Sequence, residues 1–445
     1  MGNKAQVNTK GLLQFISDSP TAFHTVESVS REFEKHGFIE LHEAESWNLE
    51  AGKSYYLTRN HSAILAFRMP TKQPQGFMIT ASHTDSPMFK LKQNHLNISG
   101  SYLKLNTEVY GGTILSSWLD RPLSLAGRVV LRENNRIFTR NIKIDRDLLL
   151  IPNVAIHFNR TINSGYTYNP AVDMLPLFAQ KGDAEQSVIE LIAKELAYNP
   201  SQIMGTELYV YSRTAGTLWG ANEEFFSSPR IDNLMCVYAT MMGFLDCRQP
   251  EETVAVYYAA DNEETGSSTK QGAASVMMSD VLDRVAESLV LDKRLLLANS
   301  MMVSADNAHA IHPNHPELSD GQNAPQMNGG VVIKNNAAQK YATDAVSSVL
   351  FAEICKQANV PVQYFHNRSD MAGGSTLGSI SNTQVPLLTV DIGMAQLAMH
   401  SAYETAGVKD TDYLIDATRQ FYNSRLIQEK DGCYHLEFQL KQEGH

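Results

Sequence analysis

Three carboxylates lie close together in the stretch AADNEETGSST, residues 259–269, directly after an apolar run. Asp261, Glu263 and Glu264 would repel one another as neighbouring anions, and a nearby cation is what stabilises such a group in its ionised form. A solvated acidic loop is the simpler interpretation of this motif when it is taken alone. The chemistry therefore depends on whether other ligands join these carboxylates.

Potential metal ligands follow three further apolar runs in the same way. His83 and Asp85 follow GFMITAS, and Asp306 follows SMMVSA. His400 comes soon after PLLTVDIG, while Asp232 stands after SSPRI at the start of a helical pattern. In open α/β sheets, ligands bind outside the carboxyl ends of the strands, where residues far apart in the chain converge. We therefore expect these side chains to form one site.

Each of these motifs also has a simpler interpretation on its own. The pair His83 and Asp85 is typical of a solvated turn, and Asp306 of the start of a turn. Asp232 is typical of a helix N-cap. Because the pattern recurs after four apolar strand candidates, a shared site explains it better than a series of unrelated turns.

The mixture of imidazole and carboxylate groups indicates a metal centre with open coordination positions. These ligands suit Zn²⁺, with Co²⁺ or Mn²⁺ as substitutes, and the strand ends carry no cysteine for a closed structural zinc site. In a two-metal site the ions lie about 3.5 to 4 Å apart, and a bridging carboxylate offsets their repulsion. One His and one carboxylate for each metal and one shared Asp make five ligands. Asp85 then accepts the ring N–H of His83, and one Glu remains as general base on water.

Glu263 and Glu264 are expected to have different tasks because they are adjacent. Side chains of successive residues on an extended segment point to opposite sides. One glutamate can therefore face the metals as a ligand while the other carries a proton. Asp261 is left as a group that orders the loop.

The composition excludes several classes of protein. Of the 445 residues, 43% are apolar and 19% are charged, as in an ordinary globular protein of two or three domains. The formal net charge is −11 and Lys and Arg form no cluster, so neither nucleic acid nor a membrane surface is an expected partner. No apolar run approaches the ~20 residues of a membrane span, and the N-terminus lacks a signal-peptide pattern. We expect a cytoplasmic protein with buried thiols at Cys236, Cys247, Cys355 and Cys433.

The elements that carry the site residues indicate a layered α/β fold. GFMITASH, TVAVYYAA, SMMVSA and PLLTVDIG are nearly continuous apolar runs, which are typical of strands buried on both faces. An amphipathic helix is predicted in DSPTAFHTVESVSREFEKHGF, with Ser19 as N-cap, Pro20 in the first turn and Gly37 at the end. DNLMCVYATMMGFLDC is predicted as another helix. We interpret residues 1–95 and 223–445 as the two parts of one catalytic domain.

Residues 96–222 have a different, strand-rich character. GRVVLRENNRIFTRNIKI alternates apolar and polar residues on both sides of Glu133, Asn134 and Asn135, which predicts a β-hairpin. A capped polar helix is predicted near Asp183 to Tyr198. We interpret this segment as a domain inserted into the catalytic domain.

Five longer motifs surround the residues described above: ASHTDSP, SSPRIDN, DNEETGSSTKQGA, SADNAHAIHPNHPE and MAQLAMHSAYETAG. They closely resemble motifs of the aspartyl aminopeptidase family, whose members are cytoplasmic exopeptidases with two zinc ions. The resemblance runs from DSPTAFH near the start to MHSAYETAG near the end, in the same order as in the family. It implies an α/β fold with a zinc-exopeptidase-like α/β/α core and an inserted β-rich dimerisation domain.

The resemblance also implies how the metal ligands are divided. His83 and Asp306 hold one zinc, Glu264 and His400 hold the other, and Asp232 bridges the two ions. No clear departure from the metal motifs of the family is present.

Further residues receive roles only through this resemblance. Glu263 becomes the general base, and His309, Lys334 and Tyr341 become substrate contacts. The segment IPNVAIHFNR is similar to the one that sends a histidine, here His157, into the active site of a partner subunit. Homodimers that assemble into a closed dodecamer are the expected quaternary structure.

The predicted function is a metallo-aminopeptidase that removes N-terminal residues, with Asp and Glu as candidates, from peptides with a free N-terminus. A zinc-dependent deacylase or deacetylase on the same scaffold is the alternative enzyme, and N-acylated substrates would distinguish it. A non-catalytic protein whose metals hold an assembly together is the other alternative. Glu263, a carboxylate that is not required as a ligand, favours an enzyme.

Overall fold

The computed structural model describes residues 2–181 and 187–439 of the chain. Its helices are α1 (Gly2–Asp18), α2 (Ala22–Lys35), α3 (Val188–Leu196), α4 (Ile231–Asp246), α5 (Met277–Ser288), α6 (Lys293–Ala298), α7 (Ala345–Gln357), α8 (Leu377–Ser381) and α9 (Val408–Tyr422). The strands of the N-terminal half are β1 (Ile39–Glu40), β2 (Ser54–Arg59), β3 (Ala63–Arg68), β4 (Gly76–His83), β5 (Met88–Ser99), β6 (Tyr102–Tyr110), β7 (Leu123–Glu133), β8 (Arg136–Lys143), β9 (Leu177–Gln180), β10 (Ile203–Ser212) and β11 (Thr217–Trp219). Those of the C-terminal half are β12 (Phe225–Ser228), β13 (Thr253–Ala260), β14 (Met301–Ala305), β15 (Ala308–His309), β16 (Val331–Lys334), β17 (Val362–Phe365), β18 (Leu388–Gly393), β19 (Ala395–Leu397), β20 (Glu404–Gly407), β21 (Ser424–Lys430) and β22 (Cys433–Phe438).

The largest sheet in the described residues has nine strands, in the order β1-β2-β3-β13-β4-β14-β18-β16-β17. The four strands β13, β4, β14 and β18 are neighbours and run parallel to one another. They are the four apolar runs predicted as buried strands, and that prediction is confirmed. Because they are parallel neighbours, their carboxyl ends meet at one edge of the sheet.

Helices cover both faces of this sheet, so the core has the predicted α/β/α layers. On strand β13 the side chains alternate between two cores. Ala255, Tyr257 and Ala259 pack with α1, α2, α4, α7 and α9 on one face. Val256 and Tyr258 pack with α5, α6 and α8 on the other face. Burial on both faces explains why the strand has almost no polar residue before its end.

The predicted first helix begins later than expected, and another helix precedes it. The N-cap of α2 is Thr21, whose backbone is extended, and α2 begins at Ala22. The predicted cap Ser19 is wrong because its hydroxyl is hydrogen-bonded to that of Ser28 instead. The predicted end is confirmed, since Gly37 follows the helix with a positive φ of 75°.

A six-stranded antiparallel sheet forms the strand-rich part of the chain, in the order β8-β7-β10-β5-β6-β9. The predicted hairpin is confirmed by strands β7 and β8, in which Glu133 pairs with Arg136. Helix α3 is capped by Ser187 and Glu190 in a capping box, whereas Asp183 of the predicted helix lies outside the described residues. The sheet begins with β5 at Met88, before residue 96.

A five-stranded sheet, β11-β12-β20-β19-β15, lies beside the edge where the parallel strands end. Its strands β12 and β20 are antiparallel, and Ser228 is the register partner of Glu404. This pairing brings the segment before α4 next to the segment that follows His400. The sheet therefore fixes the distance between two of the predicted ligand loops.

The cysteines are free thiols, as predicted, although Cys433 is only half-buried on the β21–β22 hairpin. The other three are buried. Across the part of the chain that is described, no helix is both long enough and apolar enough to cross a bilayer.

Candidate metal centre

Three neighbouring strands of the large sheet, one loop of the five-stranded sheet and one helix deliver the predicted ligands to the same place. His83 is the last residue of β4, Asp306 follows β14, and Glu264 lies in the turn after β13. His400 comes from the loop between β19 and β20. Asp232 is in the first turn of α4, where it is not an N-cap, because Arg230 holds that position.

Asp232 lies between the two imidazoles. Its Oδ1 atom is 3.6 Å from Nε2 of His83, and its Oδ2 atom is 3.4 Å from Nε2 of His400. Each imidazole nitrogen also faces a second carboxylate. Nε2 of His83 is 3.5 Å from Oδ1 of Asp306, and Nε2 of His400 is 3.4 Å from Oε2 of Glu264. The structure thus brings together two sets of one His and one carboxylate that share Asp232.

The donor atoms of this cluster fit a metal ion. His83, Asp232 and Glu264 each offer a ligand atom within 4.8 Å of the others. Asp232 Oδ1 and Glu264 Oε1 are buried and have no hydrogen-bond partner among the described residues. A buried carboxylate oxygen without a partner is costly unless a cation compensates it. Nitrogen and oxygen donors in this mixture are those of a catalytic zinc site.

The negative charge of the cluster is also visible in the pKa values of the two histidines. Burial lowers the pKa of His400, but its hydrogen bond to Asp232 and the charge of Glu264 raise it to about 10. Burial also opposes the charged form of His83, yet its contacts with Asp232 and Asp306 raise the pKa well above the usual value. The cluster therefore attracts positive charge, which a proton or a metal ion can supply.

Asp85 supports His83 and the turn that carries Glu263 and Glu264. Its Oδ1 atom is 3.3 Å from Nδ1 of His83, and the backbone oxygen of Asp85 is 3.1 Å from the same nitrogen. Its carboxylate also accepts the backbone N–H groups of Glu263 and Glu264, each at 3.2 Å. The hydroxyl of Tyr110 donates a further bond at 2.7 Å. Asp85 thus holds the ring of His83 and the turn that carries both glutamates.

Glu263 and Glu264 differ in their surroundings, but not because they lie on an extended segment. Residues Glu263–Thr265 form a single 3-10 turn that follows Asn262 in the left-handed region, with φ of 60°. The extended geometry expected at this point is therefore wrong. Glu264 faces His400, whereas no hydrogen bond ties the Glu263 carboxylate within the described part of the chain. Burial raises the pKa of Glu263 to about 8, and the nearby Asp306 and Asp85 add to the effect.

Lys334 and Tyr341 lie on the side of Asp306. The ammonium of Lys334 is 3.3 Å from Oδ2 of Asp306 and 5.1 Å from the centre of the Tyr341 ring. Only 2% of the Lys334 side chain is exposed. Burial opposes its charge, but the Asp306 carboxylate raises the pKa of Lys334 above its usual range. Burial likewise raises the pKa of Asp306, yet the charge of Lys334 holds it below the usual range.

The two remaining predicted residues lie further out. His309 is on β15 and lines a cavity of about 290 Å³, together with Phe365, Arg368 and Ala398. Ala398, which lines this cavity, is two residues before His400 in the chain. His157 is exposed in the segment after Ile151 and contacts none of the other site residues in the described structure.

Sequence reasoning missed Glu404, Tyr110 and Asn262. Glu404 accepts the backbone N–H groups of Asp232 and His400. Asn262 donates to Tyr110, while its side-chain oxygen accepts bonds from Thr269 and Gln271 that close the loop. Glu404 could have been noticed as a charged residue type within the motif MHSAYETAG, but its hydrogen-bond partners are determined by the five-stranded sheet.

Comparison with known proteins places the chain in a family. Residues 15–422 match the family described as aminopeptidase I zinc metalloprotease (M18). A probable M18 family aminopeptidase 2 of Clostridium novyi is 45% identical over 423 residues, which cover 93% of this chain and 98% of the relative.

Solved structures agree with this assignment. Ape4, from the cryo-EM structure of the Ape4 and Nbr1 complex, is 35% identical with a TM-score of 0.91, over 94% of this chain and 86% of that one. The mApe1 dodecamer of S. cerevisiae is 25% identical with a TM-score of 0.82, over 94% and 97% of the two chains. These matches confirm the family that the motifs resemble. The chain therefore belongs to the M18 family of zinc metallo-aminopeptidases, hydrolases that remove residues from the N-terminus of peptides.

Proposed function

We propose that the centre holds two zinc ions, with Asp232 as the ligand that both ions share. The observation that carries this proposal is the position of Asp232, whose two oxygens face the imidazoles of His83 and His400 separately. Asp306 completes the first set and Glu264 the second. Co²⁺ and Mn²⁺, which accept the same donors, are the expected substitutes.

Glu263 is the residue that moves the proton in this proposal. Zinc ions, when bound, activate water and polarise the peptide carbonyl. Glu263 takes a proton from the attacking water and passes it to the leaving amine. Its position supports this role, because Asp85 holds its backbone while no hydrogen bond in the described chain restrains its carboxylate.

The substrate is proposed to enter on the side of His400, whose side chain is 31% exposed while that of His83 is 1% exposed. The cavity beside His309 is large enough for an amino-acid side chain, and His309 borders it. Tyr341 belongs to the same apolar cluster as Phe365, which lines this cavity, and Lys334 lies between Tyr341 and Asp306. These three residues are therefore the proposed substrate contacts within one subunit.

A preference for N-terminal Asp or Glu is the finer part of this proposal. Lys334 is the candidate cation, since a direct charge-assisted hydrogen bond to a carboxylate is among the strongest polar contacts. In the structure its ammonium faces Asp306. A substrate carboxylate would therefore share this ammonium with the metal ligand.

The active unit is proposed to be a homodimer within a larger closed assembly, located in the cytoplasm. The similarity to the mApe1 dodecamer supports assembly. The loop that carries His157 also exposes Val154, Ile156 and Phe158, the last with 87% of its surface accessible. Exposed apolar side chains grouped in one loop favour contact with another chain. His157 would enter the neighbouring site through this contact.

Glu263→Gln tests the proposed chemistry. We expect this variant to retain two zinc ions and the fold, and to lose at least about 100-fold in kcat, because general acid–base catalysis contributes about 10² to 10⁴. Metal content, the circular dichroism spectrum and hydrolysis of aminoacyl anilides are the measurements. Glu353→Gln, which changes an exposed glutamate on α7 paired with Lys356, is the matched control.

Wild-type turnover by Glu263→Gln would remove Glu263 from the mechanism. The same panel includes N-acylated amino acids. If the protein cleaved these and left free-amine substrates intact, the centre would be that of a deacylase. Chelation of the metal is expected to abolish hydrolysis, and added Zn²⁺ to restore it.

A further inference from the structure

Glu404 is a buried carboxylate that lies between two of the proposed metal ligands without being one of them. It begins strand β20, and only 1% of its surface is accessible. Its Oε2 atom accepts the backbone N–H of Asp232 at 3.0 Å. Its Oε1 atom accepts the backbone N–H of His400 at 2.8 Å and the side-chain amide of Gln396 at 3.2 Å. Both oxygens therefore accept hydrogen bonds from N–H groups.

This arrangement ties together two segments that are far apart in the chain. Asp232 and His400 reach the centre from α4 and from the β19–β20 loop, and Glu404 bonds to the backbone of both. His400 itself has a positive φ of 68°, a conformation that is uncommon for residues other than glycine. A hydrogen bond to its N–H is one of the contacts that can hold it in this conformation. Within the frame set by the β12–β20 pairing, Glu404 thus links the backbones of these two residues directly.

The hydrogen bonds continue to the loop that carries Asp306. Gln396 accepts a bond at 2.8 Å from the side-chain amide of Asn307, the neighbour of Asp306. The same amide donates to the backbone oxygen of Ile231, next to Asp232, at 3.1 Å. Asn307 and Gln396 are buried. The network therefore closes a ring that links the segments carrying Asp232, Asp306 and His400, and Glu404 is its acidic member.

We propose that Glu404 is a positioning residue that sets the affinity of the centre for the metal on the His400 side. The proposal rests on the two-zinc centre described above. Asp85 supports His83 and the glutamate turn, whereas Glu404 supports His400 and the shared Asp232. Loss of Glu404 therefore weakens one metal position more than the other.

Glu404→Gln is the variant that tests this role. An amide nitrogen in place of one oxygen faces an N–H donor, so at least one of the three hydrogen bonds is lost. Zn²⁺ is titrated into metal-free protein against a competing fluorescent chelator. We expect wild type to bind two ions tightly, and the variant to keep one such ion and bind the other about 10- to 100-fold more weakly. Activity is expected to return when Zn²⁺ is raised in proportion.

Asp410→Asn is the matched control. Asp410 is also buried and also accepts two backbone N–H groups, those of Asn328 and Gly330, at 2.6 and 3.2 Å. It contacts none of the proposed metal ligands in the described structure. This variant is expected to lower the unfolding temperature of the metal-free protein while both Zn²⁺ affinities stay at the wild-type values.

The outcomes separate this inference from the proposed function. If wild type binds fewer than two ions, the two-zinc centre fails, and the inference fails with it. If the wild-type protein binds two ions and Glu404→Gln binds both ions with wild-type affinity, the two-zinc centre stands and only the role of Glu404 is rejected. If Asp410→Asn loses as much Zn²⁺ affinity as Glu404→Gln, the role of Glu404 is also rejected, because a general destabilisation of the fold would explain both variants.

A second variant decides the question if Glu404→Gln does not fold. Gln396→Met removes the third donor to Glu404 and the acceptor of the Asn307 amide, keeps both backbone bonds to Glu404, and has a side chain of similar size. We expect a smaller weakening of the same second ion. Wild-type affinity for both ions in this folded variant would overturn the role of the network.

Discussion

Two buried acidic side chains, Asp85 and Glu404, accept backbone hydrogen bonds from residues of the proposed metal centre. Asp85 accepts the N–H groups of Glu263 and Glu264, and Glu404 accepts those of Asp232 and His400. These hydrogen bonds fix the backbone position of each residue but leave its side chain free to coordinate a metal ion. The ligands themselves can then remain without other partners, as Asp232 Oδ1 and Glu264 Oε1 do in the described structure.

Lys334→Met separates two roles of one ammonium. Because Lys334 lies 3.3 Å from Asp306, we expect its loss to lower Zn²⁺ affinity about tenfold, as for other groups that orient a ligand. If Lys334 also contacts acidic substrates, the ratio of kcat/KM for Asp and Glu anilides to that for Leu anilide falls as well. Chelator competition measures the first effect and the substrate panel the second.

The two expectations for Lys334→Met can be contradicted separately. An unchanged selectivity ratio would reject the substrate role of Lys334 and leave its contact with Asp306 in place. Unchanged Zn²⁺ affinity would show that Asp306 keeps its orientation without the ammonium.

His24 makes stability depend on pH. Burial, with the charges of Lys143 and Arg230, lowers its pKa to about 4 in the folded protein. The unfolded chain, with a histidine pKa of about 6.5, then binds more protons below that pH, so stability is complete above pH 6.5 and falls on acidification. By pH 5 the loss is about 2 kcal/mol. Urea unfolding of metal-free wild type and His24→Gln at pH 7 and pH 5 measures it, and the variant should lack this part of the loss.

An equal fall in both proteins between these two pH values would mean that other groups cause the acid sensitivity. The metal-free form is used because zinc release would add its own pH dependence.

At the scale of elements, helix α4 packs closely on α9, and Gly243 makes this contact possible. A Cβ atom at this position would lie 2.1 Å from Oγ1 of Thr418 and 2.9 Å from the backbone nitrogen of Arg419. The backbone atom cannot move away by rotating a side chain. The spacing of the two helices, and with it the position of Asp232 at the start of α4, therefore depends on glycine.

Gly243→Ala is expected to destabilise the protein by about 1 to 3 kcal/mol, because overpacking forces the helices apart. The gain in helix propensity of about 1 kcal/mol opposes this effect only in part. Thermal and urea unfolding provide the measurement. Gly321→Ala is the matched control, because a Cβ atom there would meet nothing within 4 Å. A Gly243→Ala variant as stable as this control would contradict the close packing.

Several elements could be predicted because their cause is local. A strand buried on both faces must be apolar along its length, so TVAVYYAA and PLLTVDIG could be identified, and the polar residues after them stood out as a site. The hairpin at Asn134 also follows from local alternation. The aminopeptidase family could be named because its motifs are long and retain their order.

Other features could not be predicted because they depend on distant partners. Glu404 receives its role from the pairing of β20 with β12, which places it opposite Ser228. The 3-10 turn at Glu263 is held by Asp85, far away in sequence. Ser19 looked like a helix cap, but its hydroxyl bonds to Ser28 while the backbone becomes helical only after Thr21.

At the scale of the whole molecule, the loop after Ile151 is the proposed contact with another chain. Phe158→Ser is expected to shift the protein towards smaller species and to lower activity in them, since His157 would no longer reach a neighbouring site. Size-exclusion chromatography with light scattering, followed by assays of each fraction, provides the measurement. Leu295→Ser on α6, which is 70% exposed, is the control.

Unchanged mass in Phe158→Ser would show that this loop does not carry the contact. Smaller species with full activity would remove His157 from the catalytic site and leave the loop with an assembly role only.

Because the proposed ligands run from His83 to His400, a fragment that lacks either end of this range does not contain the complete set of ligands. During synthesis the last ligand appears only after most of the protein has been made. A zinc ion captured in this geometry would therefore favour the finished fold over partly folded chains, which lack the parallel edge that gathers the ligands. Only chains whose sheet is complete would then bind the metal ions. A cell short of zinc would accumulate more incompletely folded chains, which are susceptible to proteolysis.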